Sequence, residues 1–216
     1  ETNLIKNLVK EIRPDIIIHL AAQAIVSNSY SDPIGTISTN VLGTVNVLEA
    51  LRKVNYKCVA LIITSDKCYE NNEWIWGYRE IDKLGGKDIY SSSKASAELL
   101  IRSYIESFLI NNEEVSIATA RAGNVIGGGD WAKDRIVPDI YRAWSKNNVV
   151  EIRSPKSTRP WQHVLEPLSG YLTLVQKLWD NRKYNAQSYN FGPLPNVDKS
   201  VIELVKKLSE YWSKEN

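Results

Sequence analysis

Residues 62–70 read IITSDKCYE, an apolar run that breaks off in a hydroxyl, an acid and a base: Ser65, Asp66 and Lys67. Downstream, Tyr90 and Lys94 stand in the spacing Tyr-x-x-x-Lys, with Ser91, Ser92 and Ser93 between them. On a helix such a pair shares one face, about 6 Å apart along the axis. An ammonium beside a phenol favours the phenolate, and a phenolate is a usable general base near neutral pH. In a chain with 11 Tyr the spacing alone is weak, and a surface pair is the competing reading. A hydroxyl at the tip of a buried strand just upstream strengthens it. By itself IITSDKCYE fits either a strand running into a polar loop or three groups held over a pocket.

These residues need a scaffold, and the apolar patterning supplies one. Residues 3–13 carry apolar positions at helical spacing (Leu4, Ile5, Leu8, Val9, Ile12), and Pro14 ends that helix. DIIIHLA (15–21), CVALIITS (58–65) and VSIATARAGNV (115–125) read as strands buried on both faces. Helices are predicted between them at 35–53 and 88–110. This alternation predicts an α/β fold, a Rossmann-like, doubly wound parallel sheet. In such sheets ligands bind beyond the carboxyl ends of the strands. Those ends are HLAAQ, ITSDK and ARAGN, all small or polar.

After residue 126 the texture is less regular. GGGDWAKDRIVPD is a glycine-punctuated loop, helices are predicted at 136–147, 164–181 and 199–213, and VEIRSP and SYNFGP read as short strands. IGGGD lacks the Gly-Lys-Ser/Thr ending of a phosphate loop and follows the wrong strand, so it reads as a flexible turn. The predicted division is a partial Rossmann-like domain at 1–126 and a partial, smaller region at 127–216 interleaved with late Rossmann elements.

Composition excludes several classes. A net charge of +2 gives no argument for nucleic acid or an anionic membrane surface, and no apolar run is long enough to cross a bilayer. Two Cys without a Cys-x-x-Cys and two His argue against structural zinc, and no metal is expected. Cys58 and Cys68 read as free thiols in a reducing cytoplasm.

The chain resembles the extended branch of the short-chain dehydrogenase/reductase superfamily in PDIIIHLAAQ, ISTNVLGTVNVLEALRK and YSSSKASAELL. The long, tryptophan-bearing blocks TSDKCYENNEWIWGYREIDKLGGKDIYSSSK, RAGNVIGGGDWAKDRIVPDI and RPWQHVLEP narrow this to the CDP-glucose 4,6-dehydratase family, over residues 3–195. The resemblance implies NAD as cofactor, bound by the partial domain at 1–126 that also carries the catalytic helix. It implies a nucleotide sugar, CDP-glucose favoured, as substrate, bound by the partial substrate-binding region at 127–216. It implies oxidation at C4, elimination of water across C5–C6 and hydride return to C6.

Residue by residue, the resemblance gives Tyr90 the proton of the C4 hydroxyl, Lys94 the nicotinamide ribose, and Ser65 a hydrogen bond to the C4 oxygen. It gives Asp66 the protonation of the leaving C6 hydroxyl. Lys67 stands where the wider dehydratases carry Glu. It is implied either as the base at C5, which must be neutral to act, or as a group that positions Asp66 or the substrate. Leu20, Ala21, Ala22, Thr39 and Thr64 match positions along the cofactor, with Asn40 beside Thr39. Gln23 matches the sugar pocket, and Asn124, Arg135 and Arg159 match the sugar-diphosphate site. The helices at 35–53 and 88–110 have family counterparts that pair in a homodimer.

The family's glycine-rich dinucleotide fingerprint and its adenosine-ribose acid are not in this sequence. The expectation is a chain with the catalytic centre and half the NAD site, weak in cofactor binding and low in turnover alone. A 4-epimerase or decarboxylase of the same superfamily is the alternative, disfavoured by Asp66-Lys67. A non-catalytic relative is disfavoured by Tyr90, and an inactive fragment remains the third reading.

Overall fold

In the computed structural model, which describes residues 2–194 and 199–215, helix α1 (Thr2–Ile12) ends before Pro14 and strand β1 (Ile16–His19) follows. Helices α2 (Val26–Ser31) and α3 (Pro33–Ile37) come next. Asp32 starts α3 by accepting a 2.8 Å hydrogen bond from the Gly35 amide, with Pro33 in the first turn. A π-helical turn, Ser38–Leu42, joins α3 to α4 (Gly43–Leu51). Strand β2 (Cys58–Ile63), helix α5 (Ile89–Tyr104) with a further π turn at Ile105–Leu109, and strand β3 (Val115–Ala122) complete the first half. Then come β4 (Val125–Ile126), α6 (Ile136–Trp144), β5 (Thr158–Arg159), β6 (Gln162–His163), α7 (Leu165–Asp180) and β7 (Gln187–Phe191). Strand β8 (Lys199–Ser200) and helix α8 (Val201–Glu215) close the described chain.

The chain packs as two compact units, residues 1–122 with 168–191 and residues 123–167 with 192–216. The first holds a four-stranded sheet in the order β1-β2-β3-β7, parallel throughout, with Ile18 opposite Leu61, Leu61 opposite Ala118 and Ala118 opposite Gln187. Strand β2 shows why CVALII is uniformly apolar. Side chains alternate across a strand, and here both faces are covered. Cys58, Ala60 and Ile62 pack with Val47, Leu48 and Leu51 of α4 and Ile101 of α5. Val59 and Leu61 pack on the other face with Tyr171, Leu174, Val175 and Leu178 of α7. Burial of each large aliphatic side chain here contributes about 1.5–3 kcal/mol. This is the doubly wound α/β fold the patterning predicts.

The second unit is built from short pieces. Strands β4 and β6 pair in parallel, and β5 and β8 antiparallel. An aromatic cluster joins α6 to α8: Tyr141 and Trp144 both lie against Trp212, and Trp131 lies against Tyr141. The strand predicted at VEIRSP does not form. Its alternation is strand-like, but among the described residues it pairs with no neighbouring strand, and Pro155 lacks a donor. The carbonyls of Pro155 and Ser157 instead accept from the amides of Ile202 and Val201, which caps α8, and pairing begins only at Thr158. Among the described residues no helix is long and apolar enough to cross a membrane.

Candidate active site

The parallel sheet brings the carboxyl ends of β1, β2 and β3 to one edge, side by side. At the end of β2 the chain stays extended through Ser65 and then makes one 3-10 turn, Asp66–Cys68. Ser65 is buried and caps that turn: its Oγ accepts from the Lys67 amide at 3.3 Å and donates to Asp66 Oδ1 at 3.0 Å. The cap thereby fixes the direction of the hydroxyl that the sequence picks out as a candidate. Asp66 and Lys67 are half-buried.

Helix α5 packs against this turn, where Cys68 and Tyr69 form an apolar cluster with Ala95. Asp88 caps the helix, accepting from the Ser91 amide at 2.9 Å and from Ser91 Oγ at 2.7 Å. Gly86 permits that entry, because a Cβ there would stand 2.4 Å from the Ser92 nitrogen. Tyr90 lies in the first helical turn, at the end of the helix that carries partial positive charge. Tyr90 and Lys94 are both buried. Burial pulls the Lys94 ammonium down to about 8, against the opposing pull of Glu98 and Cys68. Lys94 is thus mostly cationic at neutral pH, within reach of losing its proton.

The loop after β1 is tied to the same helix through Asn40, which is almost fully buried in the π-helical turn. Asn40 Oδ1 accepts from the Gln23 amide at 2.8 Å, and its Nδ2 donates to the Gln23 carbonyl at 3.0 Å and to Ser93 Oγ at 2.9 Å. A helical Asn either bonds backbone or distorts the helix, and this one does both, at the kind of π turn that recurs at functional sites. The Gln23 side chain is engaged locally: Nε2 donates to Thr36 Oγ1 at 2.8 Å and Oε1 accepts from the Ile25 amide at 2.6 Å. Leu20, Ala21 and Thr39 are exposed, and Ala22 is half-buried.

Thr64 turns inward and donates to Glu98. Glu98 and Arg121 form a buried, two-pronged ion pair, Nε to Oε1 and Nη2 to Oε2, each 2.8 Å. Burial opposes the Arg121 charge, but Glu98 more than offsets it and raises its pKa. Arg121 Nη1 also donates to Tyr69 Oη at 2.8 Å and to the Glu80 carbonyl at 3.0 Å. The sequence reading missed both members of this pair. A lone Arg inside the apolar run IATARAG was the available signal, since a buried charge needs a partner.

The remaining candidates, Asn124, Arg135 and Arg159, belong to the second unit. The Asn124 carbonyl accepts from the Gln162 amide at 3.0 Å. Arg135 precedes α6 and pairs with Asp130 at 3.4 Å, while its Nε is buried with no hydrogen-bond partner. Arg159 Nη1 donates to the Thr158 carbonyl at 2.6 Å. Among the described residues no group of three or more His, Cys, Asp or Glu could hold a metal ion.

A parallel sheet with a strand-end hydroxyl beside a Tyr-x-x-x-Lys helix places the molecule in the extended short-chain dehydrogenase/reductase class. Within it, the chain belongs to the GDP-mannose 4,6 dehydratase family, whose family model matches residues 1–215. It is 49% identical over 212 residues to a CDP-glucose 4,6-dehydratase of Salmonella typhimurium, covering 96% of this chain and 59% of the relative. A dTDP-D-glucose 4,6-dehydratase of Dictyostelium discoideum is 28% identical over 86% of this chain and 44% of its own length. The chain therefore spans about half the length of these relatives. A dTDP-glucose 4,6-dehydratase from Streptomyces venezuelae, solved with NAD bound, superposes with a TM-score of 0.82 at 18% identity, covering 99% of this chain and 61% of that one. A Thermotoga maritima UDP-glucose 4-epimerase, solved with UDP-glucose, superposes at 0.83 and 20% identity, covering 97% and 65%. These two likenesses establish the fold.

Proposed function

We propose that the protein is an NAD-dependent nucleotide-sugar 4,6-dehydratase, a hydro-lyase that converts CDP-glucose to its 4-keto-6-deoxy product. The observation that carries this reading is the 49% identity across 96% of the chain to an enzyme of that activity. The clustering of Ser65, Asp66 and Lys67 against the Tyr90–Lys94 helix supports it, because those groups match the three steps.

Fit to the cofactor rests on the strand ends. Beyond His19 the chain leaves the sheet, and small Ala21 and Ala22 let the backbone approach a ligand. Leu20, Ala21, Ala22, Thr39, Thr64 and Lys94 are the residues assigned to hold the nicotinamide half, Lys94 through the ribose. When bound, NAD supplies a hydride acceptor at C4 and returns the hydride at C6. Tyr90 removes the C4 hydroxyl proton while Ser65 holds the oxygen. Asp66 protonates the leaving C6 hydroxyl, and Lys67, half-buried beside it, is assigned the C5 proton.

We assign the first unit to the cofactor and the second to the substrate. Asn124, Arg135 and Arg159 take the diphosphate, and the unpartnered Arg135 Nε is a donor suited to it. We further assign a homodimer through α3–α4 and α5 with their π turns, where apolar Ile34, Leu42, Leu99 and Phe108 are exposed. A cytoplasmic location accords with two free, buried thiols.

The test is incubation of the native protein with NAD and CDP-, dTDP-, GDP- and UDP-glucose. Expected is a 4-keto product, absorbing in alkali, from CDP-glucose first. Product from dTDP- or GDP-glucose alone overturns the substrate. A C4 epimer without the keto product favours the epimerase reading.

A further inference from the structure

Lys94 sits in a buried environment of identifiable groups. His19 of β1, Cys68 of the turn after β2 and Glu98 of its own helix are near enough to act on its charge, and Tyr90 precedes it by one helical turn. Burial, then the Lys94 charge, lowers the pKa of His19, so the imidazole is neutral at pH 7. Burial pushes the Cys68 thiol up to about 12, so it too is neutral. Glu98 is the member of this set that carries negative charge, one helical turn from Lys94 on the same face.

Glu98 is also fixed. Both its oxygens are gripped by the Arg121 fork, and it accepts from Thr64 and, at 3.2 Å, from Thr119 Oγ1. Ser188 of β7 donates to Glu98 Oε2 at 3.4 Å and accepts from Arg121 Nη2 at 3.0 Å, and Tyr69 Oη accepts from Arg121 Nη1 at 2.8 Å. The pair is therefore pinned on both members, with Glu98 on the face of α5 that carries Lys94. A pair so pinned holds its field without reorganising when a ligand arrives.

We propose that Glu98, held by Arg121, Thr64 and Thr119, is a positioning residue that keeps Lys94 charged in the site. This rests on the assignment of Tyr90 and Lys94 made above. Its consequence is that Glu98 sets the upper pH at which the Tyr90–Lys94 pair works. A buried lysine without a counter-charge releases its proton at lower pH, and its help to the phenolate goes with it.

The test is the titration of Lys94 by NMR in protein carrying ¹³C-labelled lysine, its signal assigned by its loss in Lys94→Arg. In the wild type the midpoint is expected near 8. Glu98→Gln removes the counter-charge and leaves Arg121, and the midpoint should fall by about one unit. A midpoint unchanged or raised overturns the proposal. Should Glu98→Gln not fold, Glu98→Gln/Arg121→Met leaves no unpaired buried charge. There the midpoint should fall by less, and one at or above the wild type overturns the proposal.

In active native protein, the alkaline limb of turnover should move with the midpoint. A limb unmoved in Glu98→Gln with normal turnover sinks this inference and spares the dehydratase reading. A shifted midpoint with no turnover of any nucleotide sugar does the reverse.

Discussion

Asn40 and Ser93, on different helices, are joined by a buried hydrogen bond of 2.9 Å. Ser93 Oγ also donates to the Tyr90 carbonyl at 2.7 Å, and Asn40 holds both backbone groups of Gln23. One amide therefore connects the loop after β1 to the first turn of the Tyr90 helix. In Asn40→Leu the Gln23 amide and carbonyl lose their partners, at about 1–3 kcal/mol for each group left buried. The expected outcome is a lower midpoint in urea unfolding and a larger loss in kcat than in KM for CDP-glucose.

Tyr90→Phe removes the proposed base and keeps the ring that fills its buried place. Turnover should fall about 10³-fold, within the usual range for a general base, with the far-ultraviolet circular dichroism unchanged. Activity within tenfold of wild type would remove Tyr90 from the chemistry.

The pH dependence follows from Lys94. Its folded pKa lies below its ordinary value, so the charged form survives only below about 8. Turnover should decline as pH rises through that value, because the role proposed for Lys94 uses the cation. Stability moves the other way from this group: above about 8 the native state holds fewer protons than the unfolded chain, so alkali relieves a cost of folding. A pH–rate profile beside urea unfolding at pH 7 and 9 separates the two trends.

Lys67→Met distinguishes the base from a positioning role. If Lys67 takes the C5 proton, the variant still oxidises CDP-glucose, and absorbance at 340 nm accumulates while no 4-keto-6-deoxy product forms. Normal product formation with solvent deuterium entering C5 as in the wild type would return the role to another group.

Arg121→Met breaks a buried ion pair from one side and strands Glu98. The cost is about 3–5 kcal/mol, or a fall in Tm on the order of 10 °C for a chain of this size. Differential scanning calorimetry reads it directly.

Most of the fold is legible in local patterning, because strands buried on both faces read as apolar runs and helices show their period. β2 is the clearest case, with Leu61 and Ile62 covered from opposite sides. The failure at VEIRSP has the complementary cause: alternation reports side-chain preference, whereas a strand also needs a partner, and that lies elsewhere in the chain. Of the candidate site residues, the sequence singles out Tyr90 and Lys94 by their spacing and Ser65 by its place at a strand end. Glu98 and Arg121 were passed over because a helical Glu ordinarily faces water. Only the tertiary contact between α5 and β3 turns it into a buried counter-charge.

The loop from Tyr69 to Glu80 is fastened from a distance. Tyr69 Oη donates to Asn190 Oδ1 at 2.7 Å, Asn190 Nδ2 donates to the Tyr78 carbonyl at 2.9 Å, and the Asn190 amide donates to Glu80 Oε1 at 2.9 Å. None of these bonds exists until β7 has been synthesised and has docked beside β3. Closing so long a loop is slow relative to forming local helix. Strands β1, β2 and β3 with α5 can therefore pair before β7 docks, while the loop that follows Ser65, Asp66 and Lys67 is fastened only when it does. Chains that stop short of residue 191 would carry every proposed catalytic side chain and still lack the strand that fastens the loop beyond Tyr69.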